Sequence, residues 1–308
     1  MKMIRNILLF SILFFLSKSA GAQSVSQQID ELMELNRGKK SMTVDDVEIL
    51  KSPPAEILNA LQEYAGDPDD NVRLIKTMLE IKTAREYPSE NVKEEVVERL
   101  TEKLSDPLAA IWQQAAKALQ QFESEDFSRT AKKNISDLLE EETPKREAIL
   151  LAGVAQMSGE KKRLREIIAD SARLDPVGRV GKWYGTFTWH AFLALARLGE
   201  TDAIEKVLQQ APTEPDEVIR VSRVSRDVAF IRQPGSIKYL ESILDTDARL
   251  PTTREGSPGN LHAQYAMELL AQSLENFPVQ QKGFGYTKED IETARQWMDQ
   301  QSEYAIRK

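Results

Sequence analysis

Apolar residues along this chain recur three and four positions apart, in runs separated by short polar turns, and the runs form a repeated phrase. Each copy has a turn, then a β-branched or aromatic residue, then an Ala/Leu-rich amphipathic stretch. Copies begin near Val72 (DPDDNVRLIKTMLEI), Ile111 (SDPLAAIWQQAAKAL), Lys145 (TPKREAILLAGVAQM), Phe187 (TFTWHAFLALARLG), Val224 (VSRDVAFIRQPG) and Leu261 (PGNLHAQYAMELLAQ), at intervals of 39, 34, 42, 37 and 37 residues. Such spacing predicts α-helices throughout. A unit of this length cannot bury its own apolar face and must stack on its neighbours. The expected fold is therefore all-α, a right-handed α-solenoid of about six helix pairs. First helices are predicted near 54–65, 89–104, 128–141, 160–172, 201–210 and 235–245. Their partners are predicted near 70–85, 108–122, 145–157, 187–198, 216–231 and 260–275.

Both ends of the array have their own signals. Residues 23–53 read as a lead-in, with one amphipathic helix over 25–35 that places Ile29, Leu32, Met33 and Leu35 on or near one face and stops at Asn36-Arg37-Gly38. After the array (54–277), residues 278–308 form a Gly/aromatic loop and a capping helix. Thr287 and Asp290 have the spacing of a capping box, and Ile291, Ala294, Trp297, Met298 and Tyr304 form an inner stripe. A terminal repeat needs such a polar-backed cover.

Residues 1–22 change the picture. Lys2 and Arg5 precede the apolar run ILLFSILFFL, and Ala20-Gly21-Ala22 offers a small-residue exit. This is the pattern of a cleaved secretory signal, and its core is too short to remain as a membrane anchor. The expected location is the bacterial periplasm or exterior. The chain has no cysteine, which removes disulfides, thiolate metal sites and Cys nucleophiles together. Without Lys2, Arg5 and Lys18 the remaining chain has 38 basic against 49 acidic residues, a net charge of −11. An acidic surface argues against general nucleic-acid binding, which needs phosphate contacts.

Three of the phrases resemble HEAT repeats. Asp67-Pro68 followed by Val72-Arg73, and Asp106-Pro107 followed by Ile111, carry the Asp-Pro turn and first hydrophobic position of that family. Ala194-Leu195-Ala196-Arg197-Leu198-Gly199 followed by Ala203-Ile204 is similar to its bacterial form. The resemblance spans about residues 54–277 and implies an α-solenoid whose second helices line a concave, usually protein-binding face. It brings no catalytic residue.

Two turns within helix pairs are much longer than the others, over 175–186 and 247–259. Insertions on one edge of a repeat protein often form its binding face. They carry Arg179 and Lys182, and Arg249 and Arg254, on an otherwise acidic chain. Arg220, Arg223 and Arg226 stand at three-residue steps, within about 120° of arc on an α-helix; the alternative is pairing with Asp216, Glu217 or Asp227. Arginine forks suit carboxylates, phosphates and sulfates. Trp183 and Tyr184 lie on the first long turn as apolar anchors, whereas Phe187 and Trp189 fall at core positions. His190 and His262 have no ligand spacing between them, and Asp67, Asp69, Asp70 and Asn71 lack the Gly and Glu of a calcium loop. No nucleophile elbow, phosphate loop or dinucleotide fingerprint occurs. No metal or cofactor is expected.

These residues point to a non-enzymatic scaffold that binds a protein partner, one offering an acidic segment to Arg179, Lys182, Arg220, Arg223, Arg226, Arg249 and Arg254. Two other classes stay open: a binder of an anionic small molecule or glycan at the same patch, and a helical-toroid polysaccharide enzyme with carboxylates from distant repeats.

Overall fold

The computed structural model describes residues 23–39, 46–175, 183–251, 259–281 and 285–307. The signal-like segment 1–22, Arg179, Lys182 and Arg254 lie outside them. The fold is all-α. Among the described residues there is no β-strand, only isolated bridges, two of which pair Arg249 with Leu261 and Leu274 with Ile306.

The longer helices are α1 (Val25–Asn36), α2 (Pro54–Gln62), α3 (Asp70–Glu86), α4 (Glu90–Glu102), α5 (Ala109–Leu119), α6 (Arg129–Leu139), α7 (Arg146–Val154), α8 (Lys161–Ala169), α9 (Phe187–Arg197) and α10 (Thr201–Gln210). Then come α11, a continuous helix over 217–230, α12 (Pro234–Leu244), α13 (His262–Ser273) and α14 (Lys288–Asp299). Each lies within a few residues of its expected span. Side-chain caps start several of them. Ser24 accepts from the Gln27 N–H ahead of α1, Asp69 from Asn71 and Val72 ahead of α3, Ser128 from Ala131 ahead of α6, and Thr287 from Asp290 ahead of α14. Each satisfies a backbone donor that the first turn leaves open.

The chain forms two compact units, one of residues 1–96 and 108–114, the other of residues 97–107 and 115–308. In the first unit, Val25, Ile29, Leu32 and Met33 of α1 bury against Ile57 and Leu61 of α2 and Val72, Ile75 and Leu79 of α3. Leu35 departs from its expected role: it is 55% exposed, and Val25 and Asn36 are buried instead. Asn36 holds the helix end by donating to the Leu32 carbonyl at 2.8 Å. Asp67 takes a two-pronged hydrogen bond from Arg37, 2.9 Å at each contact, so the acidic turn is a helix-pair junction.

In the second unit the second helices form a row, with α7 against α9, α9 against α11 and α11 against α13. The backbones of α7 and α9 meet at Gly153, where a Cβ would sit 3.1 Å from the Ala194 Cα. Positive side chains cover the carbonyl ends of neighbouring helices. Arg163 donates to Leu139 O at 2.8 Å, Arg197 to Phe230 O at 2.6 Å, Arg295 to Leu244 O at 3.0 Å and Arg307 to Leu274 O at 3.0 Å. Lys145 does the same for Leu104 O. A cation at the carbonyl end satisfies open acceptors and opposes the helix dipole.

Candidate functional site

The site begins with the turn that enters α9. Thr186 is its N-cap: the hydroxyl accepts from Trp189 N–H at 3.0 Å and donates to Trp183 O at 2.6 Å. Asp175, at the near end of the long turn, accepts from the N–H groups of Phe187 (2.9 Å) and Thr188 (3.3 Å). Gly185 takes φ +73°, a conformation that costs a side-chain-bearing residue. This bracing fixes Trp183 and Tyr184 at the mouth of the turn, both half-buried. The Trp183 ring packs edge-on against Trp189 at 4.4 Å between centroids, and Tyr184 packs edge-on against Trp183 at 6.2 Å. Phe187 goes to the core and carries the Arg146 guanidinium over its ring at 4.7 Å.

Trp189 is 3% exposed, and its indole N–H needs a buried acceptor. It donates at 2.7 Å to Oδ2 of Asp227, on α11. Burial is the chief influence on this carboxyl. It pushes the group up to about 7, against the smaller opposing effects of the Trp189 hydrogen bond and the Arg226 charge.

Helix α11 is not a plain α-helix. After one α-turn (Glu217–Ile219), residues Arg220–Val224 form a π-turn, and Ser225–Phe230 return to α geometry. The Ser225 N–H reaches back five residues to Arg220 O, and the buried Ser225 hydroxyl donates to the same carbonyl at 3.0 Å. Three-residue steps therefore do not stay on one face, and the expected arginine stripe divides. Arg220 is tied down: it donates to Glu214 O at 2.8 Å and lies 3.8 Å from Glu217. Its charge also acts on Tyr239, which hydrogen-bonds Ser225. Glu217 faces His262 Nε2 at 3.5 Å as well. Arg220 is thus engaged by its own segment, whereas Arg223 and Arg226 are more exposed.

Arg223 and Arg226 are exposed, and neither makes an ion pair or hydrogen bond with any described residue. Both act on the Tyr184 hydroxyl. Burial, then Asp227, push that group up to about 12, Arg223 and Arg226 pull it down, and Glu214 adds a smaller upward effect. Trp183, Tyr184, Arg223 and Arg226 therefore form one cluster, floored by Trp189 and Asp227.

Arg249 lies elsewhere. It donates to Gly259 O at 2.7 Å across the neck of the second long turn. Leu250 N–H bonds Asn260 O and His262 N–H bonds Ala248 O, each at 2.9 Å. The neck is so tight that a Cβ on Gly259 would fall 1.7 Å from Leu250 O. Arg249 borders an open cleft of about 520 Å³ with Asp247, Lys288, Glu292 and Arg295. Arg295 is already engaged there by Leu244 O and Asp247. Arg249 therefore has its contacts at this neck and cleft, apart from those of Trp183, Tyr184, Arg223 and Arg226.

Asp227 and the π-turn were not anticipated as site features. One signal was present: Trp189 and Asp227 are 38 residues apart, within one residue of the 37-residue interval between their two copies of the phrase. No protein-family model matches the chain, and no curated protein sequence matches it.

Proposed function

We propose that this chain is an exported, non-enzymatic binding protein of the bacterial periplasm or exterior, whose HEAT-like helix pairs present a small basic-aromatic surface to an acidic segment of a protein partner. The observation that carries this reading is the pairing of two exposed arginines, without an ion pair among the described residues, with two half-buried aromatics on a braced turn. Guanidinium groups take carboxylates in two-pronged geometry, and Trp and Tyr supply contact area at low entropic cost. Partly buried aromatic anchors beside arginines are the usual composition of an interface hot spot. Residues 23–308 carry a net charge of −11, so two arginines at one site run against the sign of the chain.

The test is retention of envelope proteins on immobilised residues 23–308, compared with the Arg223→Glu/Arg226→Glu variant. One protein held by the native chain and lost with the double variant, at unchanged helical circular dichroism and melting temperature, is the expected result. Arg220→Ala behaves differently: it keeps the partner but lowers stability by about 1–2 kcal/mol through the hydrogen bond and packing it loses. If the double variant retains the same protein as the native chain, this surface is not the binding site. A glycan or small anion as ligand would instead give saturable binding of acidic sugars that Trp183→Ala and Arg226→Glu both abolish, with no protein retained.

A further inference from the structure

Helix α11 divides its side chains between core and surface. Val221, Val224, Ser225, Val228 and Ala229 are buried, whereas Val218, Arg223 and Arg226 are exposed, with Ser222 half-buried between them. Val218 is 41% exposed, and among the described residues of the second unit it is the one large apolar side chain left so open to water. The other two such residues, Leu35 and Val47, belong to the first unit. A single exposed apolar side chain ordinarily needs no explanation, but this one shares the solvent side of a helix with both arginines of the site. The π-turn stacks positions five apart, so Arg223 follows Val218 one turn on. At a rise of about 1.5 Å per residue, Val218 stands roughly 8 Å from Arg223 and 12 Å from Arg226 along the axis.

The start of α11 has the opposite sign. Asp216 is exposed and accepts from the Ile219 N–H at 3.0 Å, and Glu217 lies 3.8 Å from Arg220 and 3.5 Å from His262. Along its surface the helix therefore reads acidic, apolar, basic. We propose that this face selects a mixed segment of the partner, whose carboxylates fall on Arg223 and Arg226 while an apolar side chain about three residues along packs on Val218. An extended segment advances about 3.3 Å per residue, so about three residues cover the 8–12 Å between those contacts. Carboxylates continuing past Val218 would meet Asp216 and Glu217, so the same face disfavours a uniformly acidic chain by like-charge repulsion. This rests on the proposed binding function and names the chemistry of the segment that is bound.

The experiment uses mature protein at constant pH and ionic strength with two fluorescent peptides: deca-glutamate, and the same peptide with leucine in its sixth position. Charge alone makes the leucine peptide the weaker ligand, since it has one carboxylate fewer. The expected result is the reverse, with the leucine peptide bound about fivefold more tightly by native protein. Val218→Ser should bind deca-glutamate as the native protein does and lose the preference for leucine, whereas Val218→Leu should keep it. Residue 218 lies in the first turn of α11 and is open to water, so both variants should melt with the native protein. Equal or weaker binding of the leucine peptide overturns the apolar contact and leaves the basic-aromatic surface standing. A preference that survives in Val218→Ser does the same and moves the leucine to Trp183 and Tyr184. Self-association in sedimentation that Val218→Ser abolishes would give this valine to a second copy of the chain and overturn its assignment to a partner. Absence of binding by either peptide overturns the surface itself, and the contact falls with it.

Discussion

At the scale of single residues, the feature with most consequence is a half-buried carboxyl group held against Trp189, where its charge is poorly tolerated. The Asp227 group is near its ordinary value of 3.8 in an unfolded chain and near 7 in the folded one. Between about pH 4 and 7 the folded state therefore binds a proton that the unfolded chain has released, and stability declines as pH rises through that window. Above pH 7 the burden is complete and the slope ends. Urea denaturation at pH 5 and pH 8 checks this: native protein should lose more stability over the interval than Asp227→Asn, whose amide still accepts from the Trp189 indole. An equal loss in the two proteins would mean that Asp227 ionises like an exposed carboxylate. Arg197 illustrates the opposite sign. It is 6% exposed, stacked over the Phe230 ring at 4.9 Å and bonded to Phe230 O, and burial together with the Arg232 charge disfavours its charged form. Its use is the helix end it covers, as an amphipathic side chain whose packing matters alongside its charge.

At the scale of elements, the π-turn in α11 decides which arginines face the site. An extra residue in a helix turn rotates every later side chain by about 100° relative to an α-register, and such bulges are frequent at functional positions. Deleting Ser222 should convert α11 to a regular helix. The two halves of α11 then cannot both keep their partners: either Glu217–His262 is lost, or Asp227–Trp189 is. Circular dichroism should stay helical while the denaturation midpoint falls by the equivalent of about 2 kcal/mol or more, since a buried hydrogen-bonded group loses its partner. A deletion without effect would show that α11 tolerates either register. The same turn explains why some features were legible in the sequence and others were not. Helix spans were readable because apolar spacing, caps such as Asp69, Ser128 and Thr287, and stop residues such as Gly199 are local chemistry. The arginine stripe divides because three-residue steps imply one face only in an unbroken α-helix, and the π-turn over Arg220–Val224, held at Ser225, is set by tertiary contacts. Leu35 was misjudged for a related reason: it lies in the last turn of α1, where Asn36 takes the buried place and bonds its own helix.

At the scale of the whole molecule, the second unit covers the exposed side of α13 with the residues that follow it. Ile291, Ala294 and Met298 of α14 bury against Met267, Leu270 and Leu274, while Trp297 sits between Phe277 (5.8 Å) and Tyr304 (6.4 Å). The chain then folds back along the end of α13: Glu275 N–H bonds Ala305 O and Arg307 N–H bonds Ser273 O, each at 2.9 Å, and Arg307 covers Leu274 O. Residues 301–307 thus act as a strap over the final repeat, whose carbonyl ends and aromatic stack would otherwise meet water. Truncation after Gln300 should uncover Trp297 and the α13 terminus, costing about 2–4 kcal/mol from lost apolar burial and open backbone acceptors. For a unit of this size that corresponds to a fall in melting temperature of about 5 °C or more. Near-ultraviolet circular dichroism from the Trp297 stack should weaken as well. The Trp183–Arg226 surface draws on none of these residues, so the truncated chain at 15 °C should bind the deca-glutamate peptide as the full chain does. Loss of peptide binding with the strap, at retained helicity, would mean that order at the terminal repeat is transmitted along the row of second helices from α13 through α11 to the site.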